Sequence, residues 1–133
     1  MIQIRKDIYE QMIEEAKQAF PCECCGVLAG KESSATKIYS VKNVDPDPET
    51  CFLMDSRTQF KVFKTIDKIY IDMVAIYHSH PNSECYPSAR DIKMNSYPDV
   101  AQIIISLDDI DTPEVKAFIV KDGKVVEEEI KFI

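Results

Sequence analysis

The chain has 133 residues, enough for one domain with a proper core and too few for two. Apolar residues make up 45% of it, and no apolar run approaches the ~20 residues needed to cross a bilayer, so a globular protein without a membrane partner is expected. Its 16 basic and 23 acidic side chains leave a net charge of −7 with no run of Lys or Arg, which argues against nucleic acid as a partner.

The opening residues lack the apolar stretch of a signal peptide, so a cytoplasmic location is expected. Residues 7–20 carry Ile8, Met12, Ile13, Ala16, Ala19 and Phe20 at helical spacing, with Asp7 as N-cap and Pro21 as the stop. Residues 25–30 read as a buried strand and residues 36–44 as a second. Two prolines and three acids over residues 45–49 mark a loop, after which residues 51–54 suggest another strand. Asp55 or Ser56 caps a helix that runs through Tyr70, with Phe60, Phe63, Ile66, Ile69 and Tyr70 as its inner stripe. Residues 73–77 form a compact apolar run, expected as a central strand. Ser88 opens a short helix, and residues 101–106 and 115–120 read as strands. Asp122-Gly123 then turns the chain into residues 125–133, a C-terminal β-hairpin. Strands alternating with helices give an α/β (α+β) fold around one mixed sheet, with a single domain over residues 1–133.

The two histidines, His78 and His80, directly follow the apolar run of residues 73–77. In a strand, residues i and i+2 point to the same side, so both imidazoles project together, beside Ile76. Each can give one nitrogen to a metal. Asp91, in the first turn of the helix opened by Ser88, supplies a third ligand. Two His and an Asp with one open position is the pattern of a catalytic rather than a structural zinc. Such a Zn2+ acts as a Lewis acid and lowers the pKa of its water. Glu23, between a helix and a buried strand, is the candidate general base, and Ser88 the candidate oxyanion donor.

Glu23 in Pro21-Cys22-Glu23-Cys24-Cys25-Gly26, followed by His78-Ser79-His80-Pro81, Ser88 and Asp91, resembles the JAMM motif of the MPN-domain metalloproteases. That motif has a Glu well upstream of H-[ST]-H-P, seven residues to a Ser and two more to an Asp, and this sequence fits without substitution. The resemblance implies a curved mixed sheet flanked by helices. It also implies zinc on His78, His80 and Asp91, with Glu23 working on the water and Ser88 stabilising the oxyanion. Family enzymes cut peptide or isopeptide bonds, often at the C-terminus of ubiquitin-like proteins. A chain this short looks like the prokaryotic members, some of which process sulfur-carrier proteins.

Blander readings stand beside these. The histidines could be surface imidazoles at a strand end, and Ser-x-x-Asp before a helix resembles a capping box, which needs no catalysis. A non-catalytic MPN-like scaffold is the alternative function, although such members typically lack motif ligands and this chain lacks none. The five cysteines cannot all pair within one chain and are expected as reduced thiols. Cys22, Cys24 and Cys25 crowd next to Glu23. Pro21-Cys22-x-x-Cys25 is part of a zinc-deaminase pattern, but the H-x-E that must precede it is missing. Cys22, Cys25, His78 and His80 could form a closed structural zinc site. Cys85, between His80 and Ser88, is expected near the metal, where it would make the protein sensitive to oxidation.

Overall fold

A computed structural model describes residues 1–133. Eight strands form one sheet in the order β7-β6-β5-β4-β2-β3-β1-β8. They are β1 (Ile2–Ile4), β2 (Cys25–Lys31), β3 (Ser34–Val41), β4 (Asp72–His80), β5 (Ala101–Ser106), β6 (Glu114–Lys121), β7 (Lys124–Glu128) and β8 (Ile130–Phe132). The sheet is mixed as expected, with β1 parallel to β3 and β8, and β4 parallel to β5. Its outermost strands, β7 and β8, are separated in the chain by Glu129 alone. One residue spans only ~3.5 Å, so the two ends of the sheet must curl towards each other. The expected hairpin forms, with Asp122 and Gly123 both at positive φ and Lys121 paired to Lys124. Its second arm is not one strand over residues 125–133, however. The chain leaves β6 after Glu128 and crosses to pair in parallel with β1.

Helix α1 (Lys6–Ala19) buries Ile8, Met12 and Ala16 against Ile4, Leu28, Ala75, Tyr77, Ile103 and Ile105 on one face of the sheet. Helix α2 (Ser56–Lys68) covers the other face, where Val62 and Ile66 meet Cys25, Val27, Ala29 and Val41. Alternation along the strands sorts the two cores: Ala75 and Tyr77 of β4 face α1, while Ile76 faces α2. Beneath α1, Gly26 pairs with Tyr77, and a Cβ on it would overlap the Tyr77 hydroxyl and the Tyr39 carbonyl. No helix is long and apolar enough to cross a membrane.

Local departures from the sequence reading have identifiable causes. Arg5, not Asp7, is the N-cap of α1. Asp7 lies inside the first turn, where its carboxylate accepts from the Ile8 N–H and from Arg5. Asp55 does cap α2, accepting the Thr58 N–H. Of the expected α2 stripe, Ile66 is buried and Phe63 packs half-buried on the same core with Val62, whereas Phe60, Ile69 and Tyr70 are exposed, and Phe60 lies under the Lys64 ammonium. Residues 51–54 are extended but make only an isolated bridge between Met54 and Asn43. The Asn43 side chain takes the Leu53 N–H that a neighbouring strand would otherwise accept. β1 was not expected; three residues carry too short a period to read, and pairing with β3 and β8 creates it.

Candidate metal centre

His78 and His80 are the last inward-facing residues of β4, on the α2 side of the sheet beside Ile76. β2 runs antiparallel to β4 with Cys25 opposite His78. At the next step the ladder changes partners. Ser79 N–H donates to the Cys24 carbonyl at 3.1 Å, but Cys24 N–H donates to the Ser79 hydroxyl at 2.8 Å. Glu23, just before this strand end, lies near enough to His80 and Asp91 for their charges to act on its carboxyl. The third element is α3 (Ala89–Lys93), which Ser88 opens with a full capping box. The Ser88 hydroxyl accepts the Asp91 N–H at 3.1 Å, and Asp91 Oδ2 accepts the Ser88 N–H at 2.8 Å. The cap therefore aims the Asp91 carboxylate back at the end of β4.

His78 Nε2, His80 Nε2 and Asp91 Oδ2 lie 3.1 Å from one another on every side. Bonds of ~2.0–2.1 Å to a tetrahedral zinc set its ligands ~3.3 Å apart, so the triangle fits such an ion. His80 Nδ1–H donates to the Glu84 carbonyl at 2.8 Å, which leaves the Nε2 lone pair facing the triangle. Two imidazole lone pairs and a carboxylate at this spacing repel unless a proton or cation sits among them. Burial lowers the His78 pKa despite Asp91. Burial also acts against the charged form of His80, but the bonds to Asp91 and the Glu84 carbonyl raise its pKa overall. For Asp91 burial works upward, and the hydrogen bonds from His78 and His80 outweigh it, holding the carboxyl well below the usual range.

Glu23 is 5% exposed, and its Oε1 is buried with no hydrogen-bond partner. Burial pushes its carboxyl up to about 8; His80 opposes this, while Asp91 and Asp45 add to it. Its backbone is held firmly. Glu23 N–H donates to the Pro48 carbonyl, and Asn43 Nδ2 donates to the carbonyls of Glu23 and Cys51 at 3.0 Å each. Phe52 from the same loop stacks on the His78 ring with centroids 4.5 Å apart. Arg90 donates to the buried Asp45 carboxylate, which ties α3 to this loop. Between loop and helix lies a cavity of about 330 Å³, with Asp91 in its wall.

Residues 5–120 match the family model of prokaryotic homologs of the JAB domain. The chain belongs to this family. It is 34% identical to the CysO-cysteine peptidase of Mycobacterium tuberculosis, over 98% of this chain and 90% of that protein. It is also 34% identical to a desampylase of Haloferax volcanii, over 78% of this chain and 76% of that protein. The solution structure of protein DSY2949 from Desulfitobacterium hafniense superposes with a TM-score of 0.90 at 35% identity, covering 100% of this chain and 93% of that one. With these relatives, the JAB-family chain is a peptidase.

Every motif residue read from the sequence is brought to the same end of the sheet, and the capping-box reading of Ser88 and Asp91 holds together with it. The cysteine alternatives fare differently. The only cluster of three or more metal-binding side chains is His78, His80 and Asp91. The Cys25 thiol turns instead to the Val41 carbonyl, at 3.3 Å within the α2-side core, so a closed Cys/His site does not form. Cys85 is not a sensor beside the metal. It packs with Ile104, Phe118 and Val120, donates to the Ile104 carbonyl at 3.2 Å, and burial pushes its thiol up to about 11. A thiol so held supplies little thiolate to an oxidant. The sequence reading missed Asn43, Arg90, Asp45 and Phe52. Arg90 lies inside the Ser88-to-Asp91 spacing and could have been noticed there, whereas Asn43 and Asp45 carry no local signal.

Proposed function

We propose that this JAB-family domain, spanning residues 1–133, hydrolyses a peptide or isopeptide bond at the C-terminus of a ubiquitin-like or sulfur-carrier protein, using Zn2+. The carrying observation is the 3.1 Å triangle of His78, His80 and Asp91 beside a buried, unpartnered Glu23 carboxyl. The relatives' names, a CysO-cysteine peptidase and a desampylase, support the substrate class. The five cysteines, all free, fit a reducing cytoplasm.

His78, His80 and Asp91 hold the metal. Zinc bound there supplies a Lewis acid for the scissile carbonyl and lowers the pKa of water at the site to ~7. Glu23, whose carboxyl is within reach of the His80 and Asp91 charges, takes a proton from the attacking water as its hydroxyl adds to the carbonyl carbon. The same carboxyl returns that proton to the amine as the C–N bond breaks. Burial raises this carboxyl in the metal-free protein and a cation held by the triangle would draw it back down, so the one group can both take and return a proton. Ser88, exposed at the start of α3, is placed to donate its hydroxyl hydrogen to the oxyanion, because that hydroxyl uses only an acceptor site on Asp91 N–H.

Elemental analysis of fresh protein tests the metal. About one zinc per chain in wild type and Cys22→Ala, lost in His78→Ala, is expected. Zinc retained by His78→Ala would refute the ligand set. Cleavage of ubiquitin-like fusions by zinc-loaded protein, abolished by a chelator and restored by zinc, tests the activity.

A further inference from the structure

The cavity between the 50–54 segment and α3 holds an asymmetry of charge. Phe52, Met54 and Ile76 make part of its wall apolar, uncharged polar side chains such as Gln59, Asn95 and Gln102 line the rest, and Arg90 is the only cation among its lining residues. The only anion is Asp91, whose Oδ2 is already engaged with His78, His80 and the Ser88 N–H. On a chain of net charge −7, a negatively charged group entering this cavity meets a cation.

Arg90 is held and yet not used up. One Nη2–H goes to Asp45 Oδ2, and Asp45 is itself 2% exposed and anchored by the Asp47 N–H. The Arg90 side chain is 45% exposed, and of the five donors of its fork no other is engaged within the protein. Asp45 thus pins the guanidinium from behind while its remaining N–H groups stay open, the pre-organised arrangement that suits a planar carboxylate. At about 330 Å³ the cavity lies at the small end of ligand sites, the scale of one amino acid rather than a protein loop.

Resting on the peptidase reading, the geometry points to Arg90 as the residue that binds the free α-carboxylate of the leaving amino acid, with that amino acid's side chain in the cavity. Of the two linkages left open above, this selects the peptide bond: the departing group is a single amino acid joined through its α-amino nitrogen. A lysine side chain in an isopeptide bond presents no carboxylate at that distance from the reacting nitrogen.

The test uses zinc-loaded full-length protein and synthetic peptides ending in Gly-Gly-Ala, as the free acid and as the C-terminal amide. Wild type is expected to favour the acid in kcat/KM by roughly 10- to 100-fold, the range of a charge-assisted hydrogen bond. Arg90→Gln should bring the acid-to-amide ratio close to one, and Arg90→Lys should keep part of it. Using the ratio cancels general damage from leaving Asp45 unpaired. Equal rates for acid and amide in wild type, or a ratio unchanged in Arg90→Gln, would overturn the assignment and leave Arg90 a structural tie. If neither peptide is cut, the peptidase reading fails on these substrates, and the carboxylate site is judged by calorimetric titration with N-acetyl-L-alanine and N-acetyl-L-alaninamide. Acid-selective binding lost in Arg90→Gln would uphold it; equal binding of the two, or selectivity surviving the substitution, would sink it.

Discussion

Replacing Glu23 with Gln keeps the shape of the side chain and removes its charge and its proton. Two consequences follow from the same buried carboxyl. For catalysis, loss of a general acid/base costs ~10²–10⁴ in rate, about 3–5 kcal/mol of transition-state stabilisation. Zinc content should not change, because Glu23 is not among the three converging ligands. For stability, the metal-free wild type carries an acid whose pKa rises from 4.5 to about 8 on folding. Between those values the folded state holds a proton that the unfolded chain releases, so stability falls as pH rises across that window. Each pH unit of the interval corresponds to about 1.4 kcal/mol and sets a ceiling of about 5 kcal/mol. Water entering the open cleft screens the charge, and about 2 kcal/mol is expected. Denaturant melts of metal-free wild type and Glu23→Gln should therefore be close at pH 5 and diverge by pH 8, with the variant the more stable. Melts that stay parallel across the range would show that Glu23 is neither buried nor strained as described. Undiminished turnover in zinc-loaded Glu23→Gln would remove it from the mechanism.

Ser88→Ala deletes both the cap and the proposed oxyanion donor. A fall of ~10²–10³ in kcat marks the donor, while a loss of about 1 kcal/mol in a thermal melt with kcat intact marks the cap alone. Asn43→Ala removes a side chain that bridges the Glu23 and Cys51 carbonyls and accepts from Asp45 and Leu53 N–H groups. It should destabilise by about 2–3 kcal/mol and lower kcat more than KM, as the Glu23 backbone loses an anchor. Unchanged kinetics would show that the loop does not position Glu23. Gly26→Ala places a methyl group into the Tyr77 hydroxyl and the Tyr39 carbonyl, so a loss of about 2–3 kcal/mol in a denaturant melt is expected. A neutral result would mean that β2 and β3 can separate there.

What could be read without the fold was whatever repeats or recurs locally. The 3.6-residue period of Ile8, Met12 and Ala16, the Asp122-Gly123 turn and the i/i+2 pair of His78 and His80 each depend on neighbours a few residues away. So does the Ser88–Asp91 cap, which aims a metal ligand with no help from the rest of the chain. The inner face of α2 was read correctly at Phe63 and Ile66, but Val62 was missed and the exposed Phe60, Ile69 and Tyr70 were included, because only the rotation of the docked helix chooses among apolar side chains on neighbouring faces. Glu23 was legible through its place in a motif, but its burial and the raised pKa that burial causes exist only in the packed chain. Asn43, Asp45 and the cavity could not be read at all, and Arg90 only through its place beside Asp91. The Asn43–Glu23 and Arg90–Asp45 bonds join residues 20 and 45 positions apart, and a hydrogen bond across that separation leaves no period in the sequence. The sequence determines which chemical groups are present and which strand or turn each occupies; only the curled sheet and the helices laid on it decide which of them meet, because burial and distance are properties of the packed chain.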